Sequence, residues 1–270
     1  MTEAKHIGII AGSGQFPIIF AKAAQEAGYT VYAVAHNNET DPLLAENVDV
    51  IEWLHLGQVG RLIKFFKKNN VSQAVMMGAI RKTRIFRDVR PDMKAIALAA
   101  KMYHFHDDGI LRAFADVLEK EGIKIESSTF LVPHLLAREG CWTDRQPSKA
   151  EQSDIDLGWQ IAKDIGKMDI GQCIVMGGGT VLAVEAIEGT DATILRGGKF
   201  GNGTAVVVKV CKPNQDTRFD IPAIGAQTIA TMIEARATAL ALEAGRAVVF
   251  DRQEMIDLAN AHDIAIVARQ

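Results

Sequence analysis

The sequence predicts an α/β protein of two domains, the first built on a parallel sheet with helices on both faces. Three observations lead there. Apolar runs of strand length alternate with helical periods from residue 5 to 126, a stretch rich in Pro, Gly, Trp and charge interrupts them over 133–153, and the alternation then resumes. Alternating strands and helices close into parallel sheets covered on both sides. A length of 270 residues exceeds the usual size of one domain. The expected boundaries are 1–132 for a Rossmann-like N-terminal domain, 133–153 for a linker and 154–270 for a second α/β domain with the catalytic residues, with a cleft between the domains.

In chain order, residues 5–11 form a short apolar strand ending in Gly12-Ser13-Gly14, 16–27 has a helical period, and 30–35 reads as a second strand. A helix follows over 62–69, a buried strand over 72–77, an amphipathic helix over 107–121 and a short strand over 123–126. Beyond the linker, 155–166 is helical, 172–176 and 180–186 are strands across a glycine triplet, and 205–210 is another strand. Residues 228–244 read as a helix, and the apolar runs 247–251 and 264–268 complete the second domain. No internal repeat or low-complexity segment interrupts the series.

Composition narrows the function classes. Hydrophobic content of 48% with 23% charged residues describes a folded globular protein. A net charge of -3 provides no broad basic field, so no nucleic-acid partner is expected. Cys141, Cys173 and Cys211 form no C-x-x-C pair and leave an odd count, which argues against a disulfide framework or zinc knuckle and fits a reducing compartment. No apolar run approaches the roughly 18 residues that a spanning helix needs, and the N-terminus lacks a basic stretch followed by an apolar core. The expectation is a cytoplasmic protein, at most peripheral to a membrane.

The densest chemistry lies in Lys212-Pro213-Asn214-Gln215-Asp216-Thr217-Arg218-Phe219-Asp220-Ile221-Pro222, where two carboxylates, two cations and a hydroxyl lie around two prolines, after one strand and ahead of a helix. A rigid framework can aim such a segment. Upstream, a strand runs into Glu188-Gly189-Thr190-Asp191, which offers backbone N–H groups, a hydroxyl and carboxylates to sugar or phosphate oxygens. Gln172, after Asp169-Ile170-Gly171, presents an amide suited to a uracil or sugar edge, and Arg196-Gly197-Gly198-Lys199 reads as a flexible loop able to close over phosphates.

In the first half, Gly12, Ser13 and Gly14 follow a strand and precede a helix, where backbone N–H groups can cradle a phosphate. A nicotinamide dinucleotide is disfavoured there. The third glycine of G-x-G-x-x-G is Pro17, and His36-Asn37-Asn38 stands where an acidic residue would close the second strand. Arg81 and Lys82, after Gly78-Ala79-Ile80, put a cation within reach of a diphosphate. His104-Phe105-His106-Asp107-Asp108 suggests a metal, although successive helical residues point about 100° apart and cannot all converge. Asp107 and Asp108 therefore read as metal ligands or as helix caps.

Four of these motifs, Gly12-Ser13-Gly14-Gln15-Phe16-Pro17, Met168-Asp169-Ile170-Gly171-Gln172, Glu185-Ala186-Ile187-Glu188-Gly189-Thr190-Asp191 and the 212–225 segment, keep an order and spacing that resembles the UDP-2,3-diacylglucosamine pyrophosphatases of the LpxI type, enzymes of lipid A synthesis. The likeness runs over essentially the whole chain. It implies hydrolysis of a UDP-sugar lipid to UMP and 2,3-diacylglucosamine 1-phosphate, with Mg²⁺, or Mn²⁺ in its place, as cofactor. It matches Asp220 to the Asp of the family's Arg-x-Asp-x-Pro turn and so implies Asp220 as metal ligand or orienter of water. Gly12, Ser13, Gly14, Arg81, Gln172, Glu188, Thr190, Asp191, Lys212 and Arg218 become substrate contacts, with Asp107 and Asp108 as further metal ligands. The sequence departs from the family at His106, commonly glycine, and at Ala223, where many relatives have Thr. A lipid substrate implies transient contact with the inner-membrane surface, and a homodimer is compatible with everything above. Two other classes stay open from the residues alone, a non-catalytic sensor of nucleotide sugars built on the same cradles and, against Pro17 and the missing acid, a nicotinamide-dependent oxidoreductase.

Overall fold

The computed structural model describes residues 5–80, 89–99, 107–218 and 220–270. They fall into two compact units. The first holds the described residues through Pro133 together with Asp216–Asp220, and the second holds His134–Gln215 and Ile221–Gln270.

In the first unit, β1 (Lys5–Ala11), β2 (Tyr29–His36), β3 (Val50–Leu54), β4 (Gln73–Met77) and β5 (Lys124–Ile125) form one sheet in the order β3-β2-β1-β4-β5, every pair parallel. β1 is the middle strand, and its Ile7 and Ile9 are fully buried, which is why its sequence is an unbroken apolar run and not an alternation. Gly8 is required by packing, since a Cβ there would lie 2.9 Å from both Phe66 and Ala74. Around the sheet lie α1 (Phe16–Glu26), α2 (Val59–Lys68), α3 (Met93–Ala99) and α4 (Asp107–Lys120). α2 turns Val59, Leu62, Ile63, Phe65 and Phe66 inward and leaves Lys67 and Lys68 in its last turn, where they complement the helix dipole. The strand order reverses between β1 and β4, so the loops leaving their carboxyl ends flank the usual ligand crevice of such sheets.

The main sheet of the second unit has six strands, β6 (Gly140–Cys141), β7 (Cys173–Gly177), β8 (Thr180–Val184), β9 (Ala205–Lys209), β11 (Ala237–Glu243) and β13 (Ala265–Arg269), in the order β6-β13-β11-β9-β7-β8. β9, β11 and β13 are parallel, whereas β6, β7 and β8 run antiparallel to the strand each joins. A separate parallel pair joins β10 (Ala223–Ile224) to β12 (Val248–Val249). Alternate residues feed two cores. Val175, Val207, Leu240 and Ile266 pack with Ile194, Met232 and Met255 on one face, while Ile174, Val206, Val208 and Ala241 pack with Ile155 on the other. Four helices cover these faces: α5 (Lys149–Lys167), α6 (Thr190–Gly201), α7 (Ala226–Glu234) and α8 (Arg252–Ala261).

Two expectations are corrected. The helix expected over 228–244 stops at Glu234, the chain turns through Arg236 at φ 52°, and Ala237–Glu243 becomes the strand between β9 and β13. Alanine's helical preference is worth under about 1 kcal/mol per residue. Fully burying Leu240 and Leu242 on one face and Ala239 and Ala241 on the other outweighs it. Residues 133–153, expected as a linker, carry β6 and the first turn of α5. They are fastened to the second unit by Arg145, whose guanidinium makes bonds of 2.7 and 3.0 Å to Glu151 and also donates to the Thr238 carbonyl.

Glu151 also closes the capping box of α5, accepting the Ser148 N–H at 2.7 Å while the Ser148 hydroxyl accepts the Glu151 N–H. Burial raises its carboxyl, but Arg145, Thr238 and Ser148 together hold it from the usual 4.5 down to about 2. A depressed carboxyl stabilises the fold above its unfolded value and loses that contribution as pH falls through the folded one. Glu151→Gln should therefore cost about 2 kcal/mol at neutral pH, and urea titrations should show the difference from wild type shrinking as pH falls from 4.5 to about 2. A loss that stays constant across that window would contradict the assignment.

Candidate active site

In the first unit, the turn after β1 is sewn to the turn after β4. Gly12 N–H donates to the Met77 carbonyl at 2.8 Å, Ser13 N–H and the Ser13 hydroxyl both donate to the Ala79 carbonyl at 2.8 Å, and Ala79 N–H returns to the Ser13 carbonyl at 3.1 Å. Gly12 is glycine because a Cβ would lie 2.6 Å from the Ala79 oxygen. The amides of Gly12 and Ser13 thus serve this bridge. Gly14, at φ 93° and exposed beside the start of α1, is the member of the triplet turned to solvent. At the end of β2, His36 is buried, Nδ1 lying 3.1 Å from the Ala11 carbonyl, and burial lowers its pKa. It belongs to the frame of the turn.

Residues 216–220 pack with the first unit. The Asp216 carboxylate accepts from Arg218 Nε and Nη2 at 3.0 and 2.9 Å, and Arg112 lies 3.6 Å away. Arg218 reaches Glu119 on α4 at 3.0 Å, and its carbonyl accepts the Ser128 N–H at 2.9 Å. Asp220 N–H donates to the Asp216 carbonyl at 3.0 Å, closing the turn, and Asp220 itself is half-buried. Hydrogen bonding from Arg218 holds the Asp216 carboxyl below its usual range against the opposing effect of burial. Ser128 is 1% exposed, and its hydroxyl has no hydrogen-bond partner among the described residues.

In the second unit, the carboxyl ends of β8 and β9 and the start of β7 gather a second polar set. Buried Glu185 accepts the Gln172 N–H at 3.0 Å and the Thr190 hydroxyl at 2.7 Å. Lys209 is also buried and donates to the Ala223 carbonyl at 2.8 Å. Asp191 is exposed as a residue, yet its carboxyl is desolvated enough to rise above its ordinary value, with Lys209 opposing and Glu185 reinforcing the rise. Burial likewise pushes the Cys173 thiol up. The Gln172 Oε1 is buried and accepts no hydrogen bond among the described residues. Helix α6 begins at Thr190 with Gly189 as its cap at φ 84°, so Thr190 faces Glu185 and does not cap the helix. The 210–215 stretch is rooted by a separate clamp. Lys163 Nζ donates to Glu243 at 2.6 Å and to the Cys211 carbonyl at 2.9 Å, Glu243 accepts the Cys211 N–H at 2.7 Å, and Lys212 pairs with Asp169 at 2.5 Å.

Gln172, Thr190 and Asp191 are thus brought together. Glu188 is engaged by Arg196 at 2.5 Å, and Lys212 by Asp169. Arg218 and Asp220 share the braced turn, which lies with the first unit although the sequence reading assigned it to the second domain. Arg81, Lys82, His104 and His106 lie outside the described residues, as do the side chains of Asp107 and Asp108, whose backbone opens α4. The closing loop expected at Arg196-Gly197-Gly198-Lys199 is instead part of helix α6. There Gly197 sits against Val175, and a Cβ on Gly198 would overlap the Ala235 carbonyl, so both glycines serve helix packing. The sequence reading missed Glu185 and Lys209 as site residues. Each is a charge ending an otherwise apolar run, 181–184 and 205–208, which was the available signal.

Comparison with known proteins gives two family matches, the LpxI N-terminal domain over residues 6–135 and the LpxI C-terminal domain over 138–267. The UDP-2,3-diacylglucosamine pyrophosphatase LpxI of Caulobacter vibrioides is 30% identical over 269 residues, 95% of this chain and 94% of that one. Among solved structures, the biotin carboxylase domain of the Hydrogenobacter thermophilus 2-oxoglutarate carboxylase aligns with a TM-score of 0.28 at 13% identity, over 64% of this chain and 35% of that one. The N5-carboxyaminoimidazole synthetase of Staphylococcus aureus gives 0.27 at 15% identity, over 67% and 39%. The chain spans well under half the length of these two structures, and such scores carry no functional argument.

The glycine assignments separate packing from backbone freedom. Gly198→Ala should destabilise by about 3 kcal/mol, because backbone must move to admit the methyl group. Gly203→Ala, at φ 82° with open space around it, should cost only about 1 kcal/mol for the left-handed conformation. Denaturant midpoints of the two variants measure this, and equal small losses would restore the loop reading of 196–199.

Proposed function

This chain belongs to the LpxI family, and we propose that it hydrolyses the diphosphate of UDP-2,3-diacylglucosamine to UMP and 2,3-diacylglucosamine 1-phosphate, with Mg²⁺ or Mn²⁺ as cofactor and Asp220 at the reacting centre. The observation that carries the proposal is likeness along the whole length, 95% of this chain against 94% of the Caulobacter enzyme, with both family domains matched. In the reaction, one P–O bond forms to the water oxygen and the bridging P–O bond breaks, its electrons leaving with the departing phosphate oxygen. Asp220 orients the water and accepts its proton, a role for which a carboxylate on a braced turn is suited. Asp216 and Arg218 fix that turn through their mutual bonds and through Glu119 and Ser128.

The donor chemistry suits the ion. Asp220, with Asp107 and Asp108 as further donors, offers hard carboxylate oxygens of the kind Mg²⁺ and Mn²⁺ prefer. No group of three His, Cys, Asp or Glu close enough to hold a metal occurs among the described residues. A cation held by one or two carboxylates and completed by substrate phosphate oxygens needs no such group. When bound, it would neutralise charge developing on the diphosphate.

Gln172, Thr190 and Asp191 are assigned to uracil and sugar atoms, and the unpaired Gln172 Oε1 suits an N–H or O–H donor. Gly14 is assigned to a phosphate oxygen. Ile170, two residues before Gln172 and 47% exposed, and Ile187, two residues after Glu185 and 78% exposed, offer apolar surface to an acyl chain.

Asp220→Ala removes a carboxylate without adding bulk, so turnover should fall by about a hundredfold or more while the substrate still binds. Single-turnover hydrolysis alongside a binding titration measures both, and near-normal turnover would remove Asp220 from the mechanism. Activity should also vanish in EDTA and return on adding Mg²⁺; full turnover in a metal-free preparation would remove the cation.

A further inference from the structure

Helix α2 and its neighbours carry a surface that the hydrolytic chemistry does not use. On the outer side of α2, Arg61, Lys64, Lys67 and Lys68 are all exposed, while the other side is buried in the core. α3 lies alongside. Gly60 N–H donates to Asp92 Oδ2 at 2.6 Å just ahead of α3, and Lys67 and Lys94 both pair with Glu121. α3 leaves Met93 80% exposed and Ile96 50% exposed, one turn apart on the helix, with Lys94 between them in sequence. On the opposite flank of α2, a cavity of about 420 Å³ against the edge strand β3 is rimmed by Arg61, Lys64 and Lys68.

Charge on this surface is unbalanced. Glu52 is paired with Arg61, and Glu121 serves two lysines. Lys64 and Lys68 have no ion-pair partner among the described residues. The whole chain is acidic, at net charge -3, so this cationic strip is a local concentration and not part of a general excess. Met93 and Ile96 put exposed apolar surface beside these cations. An anionic bilayer takes both kinds of group at once, apolar side chains at the acyl boundary and cations at the phosphate headgroups.

We propose that α2 and α3 form the surface by which this protein docks reversibly on an anionic phospholipid bilayer. The inference deepens the reading of a lipid substrate, because a diacylated sugar resides in a membrane and its hydrolase must reach the bilayer surface. It does not depend on Asp220 or on the cation.

The test is co-sedimentation of the full chain with vesicles of phosphatidylglycerol and phosphatidylethanolamine, and with vesicles of phosphatidylcholine alone. Wild type should pellet with the first, not with the second, and be largely released by high salt. Lys64→Glu/Lys68→Glu should weaken binding at least about twentyfold, since each cation near such a surface is worth about fivefold. Met93→Ser/Ile96→Ser should remove the salt-resistant remainder. Both double variants should keep the wild-type melting temperature and should hydrolyse detergent-dispersed substrate at the wild-type rate, which separates loss of docking from loss of the activity itself. The proposal is overturned if wild type fails to bind anionic vesicles, as a face meant for an acidic protein would, if it binds both vesicle types equally, or if the charge-reversed variant binds like wild type.

Discussion

The polar apparatus of the second unit depends on how three buried charges are placed at the ends of three of its strands. Glu243 ends β11, Lys209 ends β9, and Glu185 follows β8, each less than a tenth exposed. A buried charge is tolerated only when paired or hydrogen-bonded, because desolvation alone costs several kcal/mol. Each is satisfied by backbone and side-chain groups of the segments beside the strand ends. Glu243 takes the Lys163 ammonium and the Cys211 N–H, Lys209 donates to Ala223, and Glu185 takes the Gln172 N–H and the Thr190 hydroxyl. The loops are held there because the charges require partners, and the charges persist because the loops supply them.

The same logic, with half-buried groups, sets the turn at residues 216–220. Asp216 and Arg218 satisfy each other two residues apart and extend to Glu119 and Arg112, so the short segment has a defined form without a core of its own. Individually such ion pairs contribute little to stability. Collectively they restrict the backbone that carries Asp220, which is what the acid–base role proposed for it requires. The turn is therefore better understood as a positioning device than as a source of folding energy.

Much of this was legible in the sequence, and the failures have physical causes. Strands β1, β4 and β9 announced themselves as apolar runs because they are buried on both faces. β11 did not, since its alanines satisfy a helical period as readily as a strand, and only its place between β9 and β13 decides the matter. β3 was missed because it is an edge strand with little of its surface buried. At the site, the charge-rich 212–222 segment and the Thr190-Asp191 turn could be found by composition, but the roles of Glu185, Lys209 and Ser128 follow from tertiary placement. Glycines misled at two points. Gly12 read as part of a phosphate cradle and Gly198 as part of a flexible loop, and both are points of close backbone contact.

One measurement tests the central claim, that this framework serves hydrolysis of a nucleotide-sugar diphosphate. The wild-type chain is incubated with UDP-2,3-diacylglucosamine and Mg²⁺, and nucleotide and lipid products are followed together by mass spectrometry. UMP and 2,3-diacylglucosamine 1-phosphate should appear in equal amounts and in step. Unchanged substrate bound to the protein would make it a nucleotide-sugar binder without catalysis, and release of UDP with a free sugar would place the cleaved bond outside the diphosphate; either result contradicts the account.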